Sequence, residues 1–423
     1  MYSRKNILFI GQLTDISGYG TAARSYLNSL VRLAEEDKIS LGVLNWSFEG
    51  TSQIEPHEYT KIKKYSLTND LCARVGQFEL QNLKKLQEFI DQDYEVVFFL
   101  LNDWMQFGDL KNQNLLHSDK INLRYICSKS KGVYPCVVWE SDSIPHIWKS
   151  SYSKVPIKKL LCACEWNKKT FDSLGYDTQV LPYGMNFEQS RDQDYFDKLS
   201  TVLEDKFVFT SVFQWGSRKG IEKLIRAFQL EFVNDPDAYL VLKTYYSKPM
   251  TGKDETRLIR DSISKYTSSL YHYGKSIKAR CKIVVINKIL TKEELNSLYS
   301  LSDVYVTTTR GEGFGLPIVE ALNYEVPVVS PSIGGHLDFL DKGSNFFIDS
   351  TLEPVIDYDN SLWSSYEGNW VEASVSSTKR KMRECFELSK EELSRRGKQS
   401  SLFMKDYLSF ERCETIWERV LEI

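Results

Sequence analysis

Along most of this chain, short runs of apolar residues alternate with segments of helical period. That alternation limits the possible folds more than any other feature. Ile7-Leu8-Phe9-Ile10 is apolar throughout and stops at Gly11. So short a run, with no polar alternation, reads as a strand buried on both faces. Residues 41–46, 96–101, 136–139 and 160–164 have the same character. Between them, residues 21–33 put Ala22, Tyr26, Leu30 and Leu33 on one helical face, and residues 77–90 repeat the pattern with Phe78, Leu83, Leu86 and either Phe89 or Ile90. Strands separated by helices imply parallel pairing, with helices covering both faces of the sheet.

The second half follows the same logic without repeating the sequence. Residues 207–213, 239–242, 283–286, 304–306 and 326–329 read as strands, and 221–232 and 316–322 as helices. Thr291, with Glu294 three residues on, predicts a capping box at the head of a helix striped by Leu295, Leu298 and Leu301. Leu181-Pro-Tyr-Gly-Met-Asn186 and the polar run after it mark a boundary between the halves. At about 150 residues per domain, 423 residues allow two or three domains. The predicted class is α/β: two Rossmann-like, doubly wound parallel-sheet domains facing across a cleft. Ligands in such sheets bind at the carboxyl ends of the strands.

Charge excludes several partners. The chain has 54 Lys and Arg against 57 Asp and Glu, a net charge of −3, and its N-terminal half is balanced. No basic excess marks a nucleic-acid binder. The first apolar run is too short for a secretory leader. No stretch reaches the about 20 apolar residues that span a bilayer, so a cytoplasmic protein is expected. The eight cysteines show no CxxC spacing and read as reduced thiols, with Cys162 and Cys164 on the two faces of one buried strand.

Three loops are candidates for chemistry. Gly11-Gln-Leu-Thr-Asp-Ile-Ser-Gly18-Tyr-Gly20 lies between a strand and a helix, where free N–H groups favour an anion. It matches neither the dinucleotide nor the P-loop pattern, and an ordinary βα loop is the alternative. Trp215-Gly-Ser-Arg218-Lys219-Gly220 puts two cations at a helix N-terminus, against the helix dipole. That conflict suits a bound phosphate better than a solvated loop. Arg310-Gly-Glu312-Gly-Phe-Gly315-Leu-Pro-Ile-Val-Glu320-Ala carries two carboxylates separated by seven residues, on a glycine loop and the helix after it. Carboxylates there can accept hydrogen bonds from sugar hydroxyls.

This last segment resembles the EGFGLPxxEAxxxGxPVV signature of the group 1 (family 4) retaining glycosyltransferases, enzymes of the GT-B fold. It reads here from Glu312 to Val329. Leu290-Thr-Lys-Glu-Glu-Leu, Arg218-Lys219-Gly220, Leu181–Asn186 and Ser409-Phe-Glu-Arg are similar to further motifs of that family, in order. The resemblance implies an acceptor-binding domain over 1–186, a nucleotide-sugar-binding domain over 187–404, and a closing helix over 405–423 that packs back toward the first domain. It implies that Lys219 and Arg218 hold the donor diphosphate and that Glu320 bonds the ribose. Glu312 would stand by the transferred sugar. Backbone groups of Gly313, Phe314, Gly315 and Leu316 would touch sugar or phosphate, and Gly18 would let the first loop reach the diphosphate. The catalytic set so implied is Glu312, Arg218, Lys219 and Glu140.

The chain departs from the pattern in places. Gln214 stands where many members carry Arg, leaving Arg218 to supply that charge. Glu140 stands where many carry His near the acceptor, either as a helix-capping acid or as a group orienting the acceptor hydroxyl. His146 and His336 are lesser candidates. Trp46, Trp104, Trp139 and Trp148 are either sugar-stacking platforms or core.

The resemblance implies a retaining, metal-independent hexosyltransferase with no cofactor beyond its co-substrate. Triplets of the DxD type begin at Asp91, Asp192, Asp235 and Asp357 and read as chance acids in loops. A UDP-sugar is the favoured donor and GDP-mannose the next. The acceptor is a glycan, a lipid-linked or another hydroxyl compound, with peripheral membrane contact open for a lipid-linked one. One alternative is transfer to modified DNA bases, for which the clusters at Lys61–Lys64 and 154–159 would have to form a basic face. Another is a non-catalytic GT-B subunit that binds a glycan or partner.

Overall fold

A computed structural model describes residues 4–15, 17–45, 54–68, 84–99, 123–145, 155–246, 252–267, 271–272, 275–276, 280–357 and 368–423. The chain divides into two compact units. One comprises Met1–Trp139, Ser143–Asn186 and Leu408–Ile423, the other Glu140–Asp142 and Phe187–Tyr407.

The first unit is built on a parallel sheet of β1 (Lys5–Gly11), β2 (Ile39–Asn45), β3 (Glu95–Phe99), β4 (Val133–Val137), β5 (Leu160–Cys162) and β6 (Thr178–Val180), in the order β2-β1-β3-β4-β5-β6. Ile7, Leu8, Phe9 and Ile10 are fully buried, as a strand covered on both faces requires. The helix Gly18–Glu35 follows β1. Ser17 caps it, its hydroxyl accepting from the Tyr19 N–H. The helix Phe410–Leu421 also packs in this unit. Its Trp417 ring meets Tyr26 edge-on at 6.3 Å, and Arg32 pairs with Glu414.

In this sheet β6 is unexpected, and two further strands differ from expectation. β4 starts at Val133, three residues before the predicted run, and includes Pro135 opposite Phe98. A proline has no N–H for the ladder, so it disguises an inner strand. β5 ends at Cys162, and Cys164 is the N-cap of the helix Glu165–Asp172 rather than part of the strand. Both thiols are buried, as are Cys127, Cys136, Cys281, Cys385 and Cys413. Cys72, Trp46, Leu100, Leu101 and residues 77–83 of the expected helix lie outside the described residues.

The second unit contains β7 (Phe207–Gln214), β8 (Ala238–Tyr245), the short antiparallel pair β9 (Tyr271–His272) and β10 (Lys275–Ser276), β11 (Lys282–Ile286), β12 (Val304–Val306), β13 (Val328–Pro331), β14 (Phe346–Ile348), β15 (Ser350–Pro354) and β16 (Asn369–Ala373). Six of them form a parallel sheet ordered β11-β8-β7-β12-β13-β14, and β15 pairs with β16 antiparallel. Phe209, Leu240 and Leu242 face the helix Ile221–Phe232 on one side. Val208, Val241 and Leu298 pack on the other. Burying each such side chain contributes roughly 1.5–3 kcal/mol. The Thr291–Glu294 capping box forms in both directions.

Candidate functional site

In the second sheet the chain leaves β7 in one direction and β12 in the other. Their carboxyl ends therefore flank the point where the strand order reverses, the usual ligand crevice of a doubly wound sheet. The loop after β7 is Trp215–Gly220, and the loop after β12 runs from Thr307 to Gly315. The two are joined by backbone. Arg310 N–H donates to the Arg218 carbonyl at 2.7 Å, and the Thr308 hydroxyl donates to the Gly220 carbonyl at 2.8 Å. Gly220 sits at φ 59°, and a Cβ there would lie 2.3 Å from the Thr308 carbonyl oxygen. Only glycine allows this approach. Gly220 also heads the helix Ile221–Phe232 without a side-chain cap.

Four charged side chains meet here. Lys219 pairs with Glu312, and each side chain is only 14% exposed. Arg218 donates to the Gly311 carbonyl at 2.5 Å, and its guanidinium is 3.7 Å from the Glu140 carboxylate. Burial, and then the Arg218 charge, pull Lys219 below the ordinary lysine range despite Glu312. Burial pushes Glu312 up, but Lys219 and Arg218 outweigh it and hold the carboxyl below the usual range. Burial raises Glu140 against the pull of Arg218 and Lys219.

Glu140 reaches this cluster on the segment Glu140–Asp142, which belongs to the second unit. Asp142 accepts from both the backbone and side-chain N–H of Asn369 at 2.8 Å, and Ser141 donates to the Asn369 carbonyl at 2.9 Å. Gly311 makes room for it, since a Cβ there would lie 2.2 Å from the Glu140 carbonyl oxygen.

Arg310, which the sequence pattern leaves without a role, is central to this geometry. Its side chain is buried, donates to the Ser217 carbonyl at 2.6 Å, and pairs with Glu222 and Glu372. Lys223 also pairs with Glu372. Arg310 therefore fixes the loop that carries Arg218 and Lys219. The available signal was a lone cation in a run of threonines and glycines at a strand end.

Glu320 lies on the helix Leu316–Asn323, whose N-cap Gly315 adopts φ 102° and whose first turn contains Pro317. The Tyr299 hydroxyl donates to Glu320 at 2.8 Å, and burial keeps the carboxyl above its usual range. Burial first, then the charges of Glu312 and Glu320, raise the Tyr305 phenol, so Tyr305 senses both carboxylates. Gly313 and Phe314 lie between them, with the buried Phe314 ring 5.1 Å from Phe339. Gln214 ends β7.

Other candidates lie elsewhere. Gly18 is an exposed first residue of its helix in the first unit. Trp139 is buried there, donating to the Ser143 carbonyl at 2.7 Å. Trp104, His146 and Trp148 are outside the described residues. The DxD acids have local partners: Asp192 caps a helix through Tyr195 N–H, Asp235 pairs with Arg383, and Asp237 with Lys206. Within the lysine clusters, Lys64 pairs with Glu35, Lys158 with Glu95 and Lys159 with Asp177. Among the described residues no group of three or more His, Cys, Asp or Glu is placed to hold a metal ion. None of their helices is long and apolar enough to cross a membrane.

Residues 192–354, which include both loops, match the family of group 1 glycosyl transferases. The sucrose synthase of Melioribacter roseus is 28% identical over 166 residues, 34% of this chain and 20% of that protein. The probable sucrose-phosphate synthase of Thermosipho melanesiensis is 25% identical over 192 residues, 44% of this chain and 40% of that protein. The matches thus span less than half the length of these curated relatives. The crystal structure of Anabaena HepE in complex with UDP and glucose aligns over 99% of this chain and 100% of its own, with a TM-score of 0.62 at 13% identity. Residues 192–354 are thus similar to the group 1 glycosyl transferases, and the fold of the chain is GT-B.

Proposed function

We propose that this protein transfers a sugar, with retention, from a nucleotide-sugar to a hydroxyl acceptor, a glycan or glycoconjugate. The observation that carries the reading is the Arg218–Lys219 pair, held against Glu312 at the switch point of the second sheet. As the bond from the sugar to the diphosphate breaks, negative charge grows on the leaving phosphate. Fixed cations beside the N-terminus of the helix Ile221–Phe232 stabilise that charge without a covalent step. Glu320, supported by Tyr299, accepts from the ribose hydroxyls, and Glu312 from the transferred sugar. Glu140 orients the acceptor hydroxyl, and its raised pKa suits it to take that proton. Gly313 to Leu316 supply backbone N–H groups to sugar or phosphate, and Arg218 provides the charge absent at Gln214.

A UDP-sugar is the favoured donor, in keeping with the UDP and glucose in the HepE structure, and GDP-mannose the next. No metal or further cofactor takes part, and the cytoplasm is the expected compartment. Transfer to modified DNA bases is disfavoured by the carboxylate partners of Lys64, Lys158 and Lys159. The test is a thermal-shift panel of UDP-, GDP-, ADP- and dTDP-sugars with a chelator present. One donor should stabilise the wild-type protein and fail with Glu320→Ala and Lys219→Ala. No shift with any donor would contradict transfer and favour a non-catalytic subunit.

A further inference from the structure

Within the charged cluster, Lys219 and Glu312 hold each other, and Arg218 is tied to the Gly311 carbonyl. The Glu140 carboxylate stands 3.7 Å from the Arg218 guanidinium, outside hydrogen-bonding distance. Its place is set instead by the two residues that follow it. Asp142 turns both carboxylate oxygens to Asn369. Oδ1 accepts from the Asn369 backbone N–H and Oδ2 from the Asn369 side-chain amide, each at 2.8 Å. Ser141 is fully buried, and its hydroxyl donates to the Asn369 carbonyl at 2.9 Å. One residue thus grips two consecutive residues with three of its polar groups. Two parallel bonds to a carboxylate fix its direction as well as its distance, and the charge on the acceptor strengthens both.

Asn369 opens β16, and the same strand holds the cation that faces Glu140. The Val371 N–H donates to the Arg310 carbonyl at 2.8 Å, and Glu372 pairs with the Arg310 side chain. The Arg310 N–H donates in turn to the Arg218 carbonyl at 2.7 Å. Glu140 and Arg218 are therefore both referred to β16, at positions two residues apart, about 7 Å along the strand. β15 pairs with every residue of β16, from Pro354 opposite Asn369 to Ser350 opposite Ala373. One short, fully paired strand thus sets the separation of the acid from the cation.

We propose that Asn369 is a positioning residue, which acts through Ser141 and Asp142 to hold the Glu140 carboxylate at a fixed place beside Arg218 for work on the acceptor hydroxyl. This rests on the role given to Glu140 above and adds the residue that enforces it. Asparagine suits the task because its side chain can donate. Alanine in its place would leave one Asp142 oxygen without its partner, and aspartate would set two carboxylates against each other. Exchanging the two residues keeps the clasp. The amide at 142 then accepts from the backbone N–H of 369 and donates to the carboxylate at 369. A loosened segment also admits water to Glu140. Burial, reinforced by Glu312, holds its pKa up against the pull of Arg218 and Lys219, so release lets that pKa fall back toward the ordinary carboxylate range.

The test uses UDP-glucose with water as the acceptor, read as release of UDP, beside UDP affinity by calorimetry. In that reaction a water proton passes to Glu140 and the water oxygen bonds to the anomeric carbon. UDP leaves with the electron pair of the broken bond. Asn369→Ala and Asn369→Asp should each lower turnover about 10- to 100-fold, the scale of a displaced reacting group. UDP affinity should not change, and the acid limb of the turnover profile should move to lower pH. The exchange Asp142→Asn with Asn369→Asp should restore most of the turnover. Glu140→Gln should be slowed about 100-fold or more, as for loss of a general base. In that background Asn369→Ala should cause no further loss, because the two residues act as one unit. Wild-type turnover by Asn369→Ala, a full further loss in the Glu140→Gln background, a parallel loss of UDP affinity, or no rescue by the exchange would each overturn the inference. Wild-type turnover by Glu140→Gln would instead overturn the role given to Glu140. UDP binding without turnover by the wild-type protein would overturn the transfer reading, and no UDP binding the donor reading.

Discussion

The two units open with the same device, a strand leading through a glycine-containing loop into a helix, and use it in opposite ways. After β1 the loop is held by hydrogen bonds inside the first unit, among them one from the Leu13 N–H to the Asn45 side chain at 2.9 Å. Ser17 caps the helix, its own N–H donates to Asp15 at 2.7 Å, and Arg24 donates to the Leu13 and Asp15 carbonyls. After β7 the helix begins at a glycine with no side-chain cap, and two cations stand at its head. Their countercharges come from elsewhere in the chain, from Glu312 and Glu140. A loop tied to its own helix and the adjacent strand by hydrogen bonds is architecture. A loop that concentrates one sign of charge against the helix dipole is built for an anion.

The contrast can be broken in several ways. Arg310→Met has the largest expected effect. It strands Glu222 and leaves Glu372 with Lys223 alone, and should cost about 3 kcal/mol of stability by denaturant unfolding. It should also weaken nucleotide binding, because the Arg218–Lys219 loop loses its anchor. Next, Gly220→Ala meets the Thr308 carbonyl and the left-handed backbone cost together. A loss of about 3 kcal/mol is expected, against about 1 kcal/mol for Gly175→Ala, where the backbone is also left-handed at φ 78° but no neighbour lies within 4 Å.

pH sharpens the comparison further. Lys219 is held below the ordinary lysine range, so its proton leaves at a lower pH than a free lysine's. UDP affinity should therefore fall as pH rises through that lowered value, and Arg218→Gln should move the fall upward. Glu312 has the opposite sign. Its stabilising contribution is present above the ordinary carboxylate pKa and is lost as pH falls through its lowered folded value. The smallest effect belongs to the first unit. Ser17→Ala should cost about 1 kcal/mol through the lost cap and leave UDP affinity unchanged. A change in UDP affinity as large as that from Arg310→Met would erase the distinction between the loops.

Much of the fold was legible because buried parallel strands advertise themselves. β12 is apolar throughout, β1 is carried by the run Ile7–Ile10, and β7 is apolar except at Thr210, Ser211 and its last residue Gln214. β4 was misplaced because Pro135 interrupts its pattern, and only the neighbouring strands show that the position is an inner one. β6 went unseen because its three residues are only partly buried and carry no apolar run. In the site, Lys219, Arg218, Glu312 and Glu320 stood out through glycine spacing and the resemblance it carried. Arg310, Tyr299 and Glu372 did not, because their roles come from pairings across 62 residues in one case and 21 in another. The clasp of Asp142 by Asn369, across 227 residues, and the burial of His336 against Pro331 are likewise visible only in the folded chain.

The most direct measurement is a calorimetric titration of UDP, without metal, into the wild-type protein and Lys219→Ala. The account predicts measurable binding by the wild-type protein and a loss of at least about 30-fold in the variant, as befits removal of a charge-assisted contact to the diphosphate. Equal binding by the two proteins would contradict the claim that the loop after β7 holds the donor.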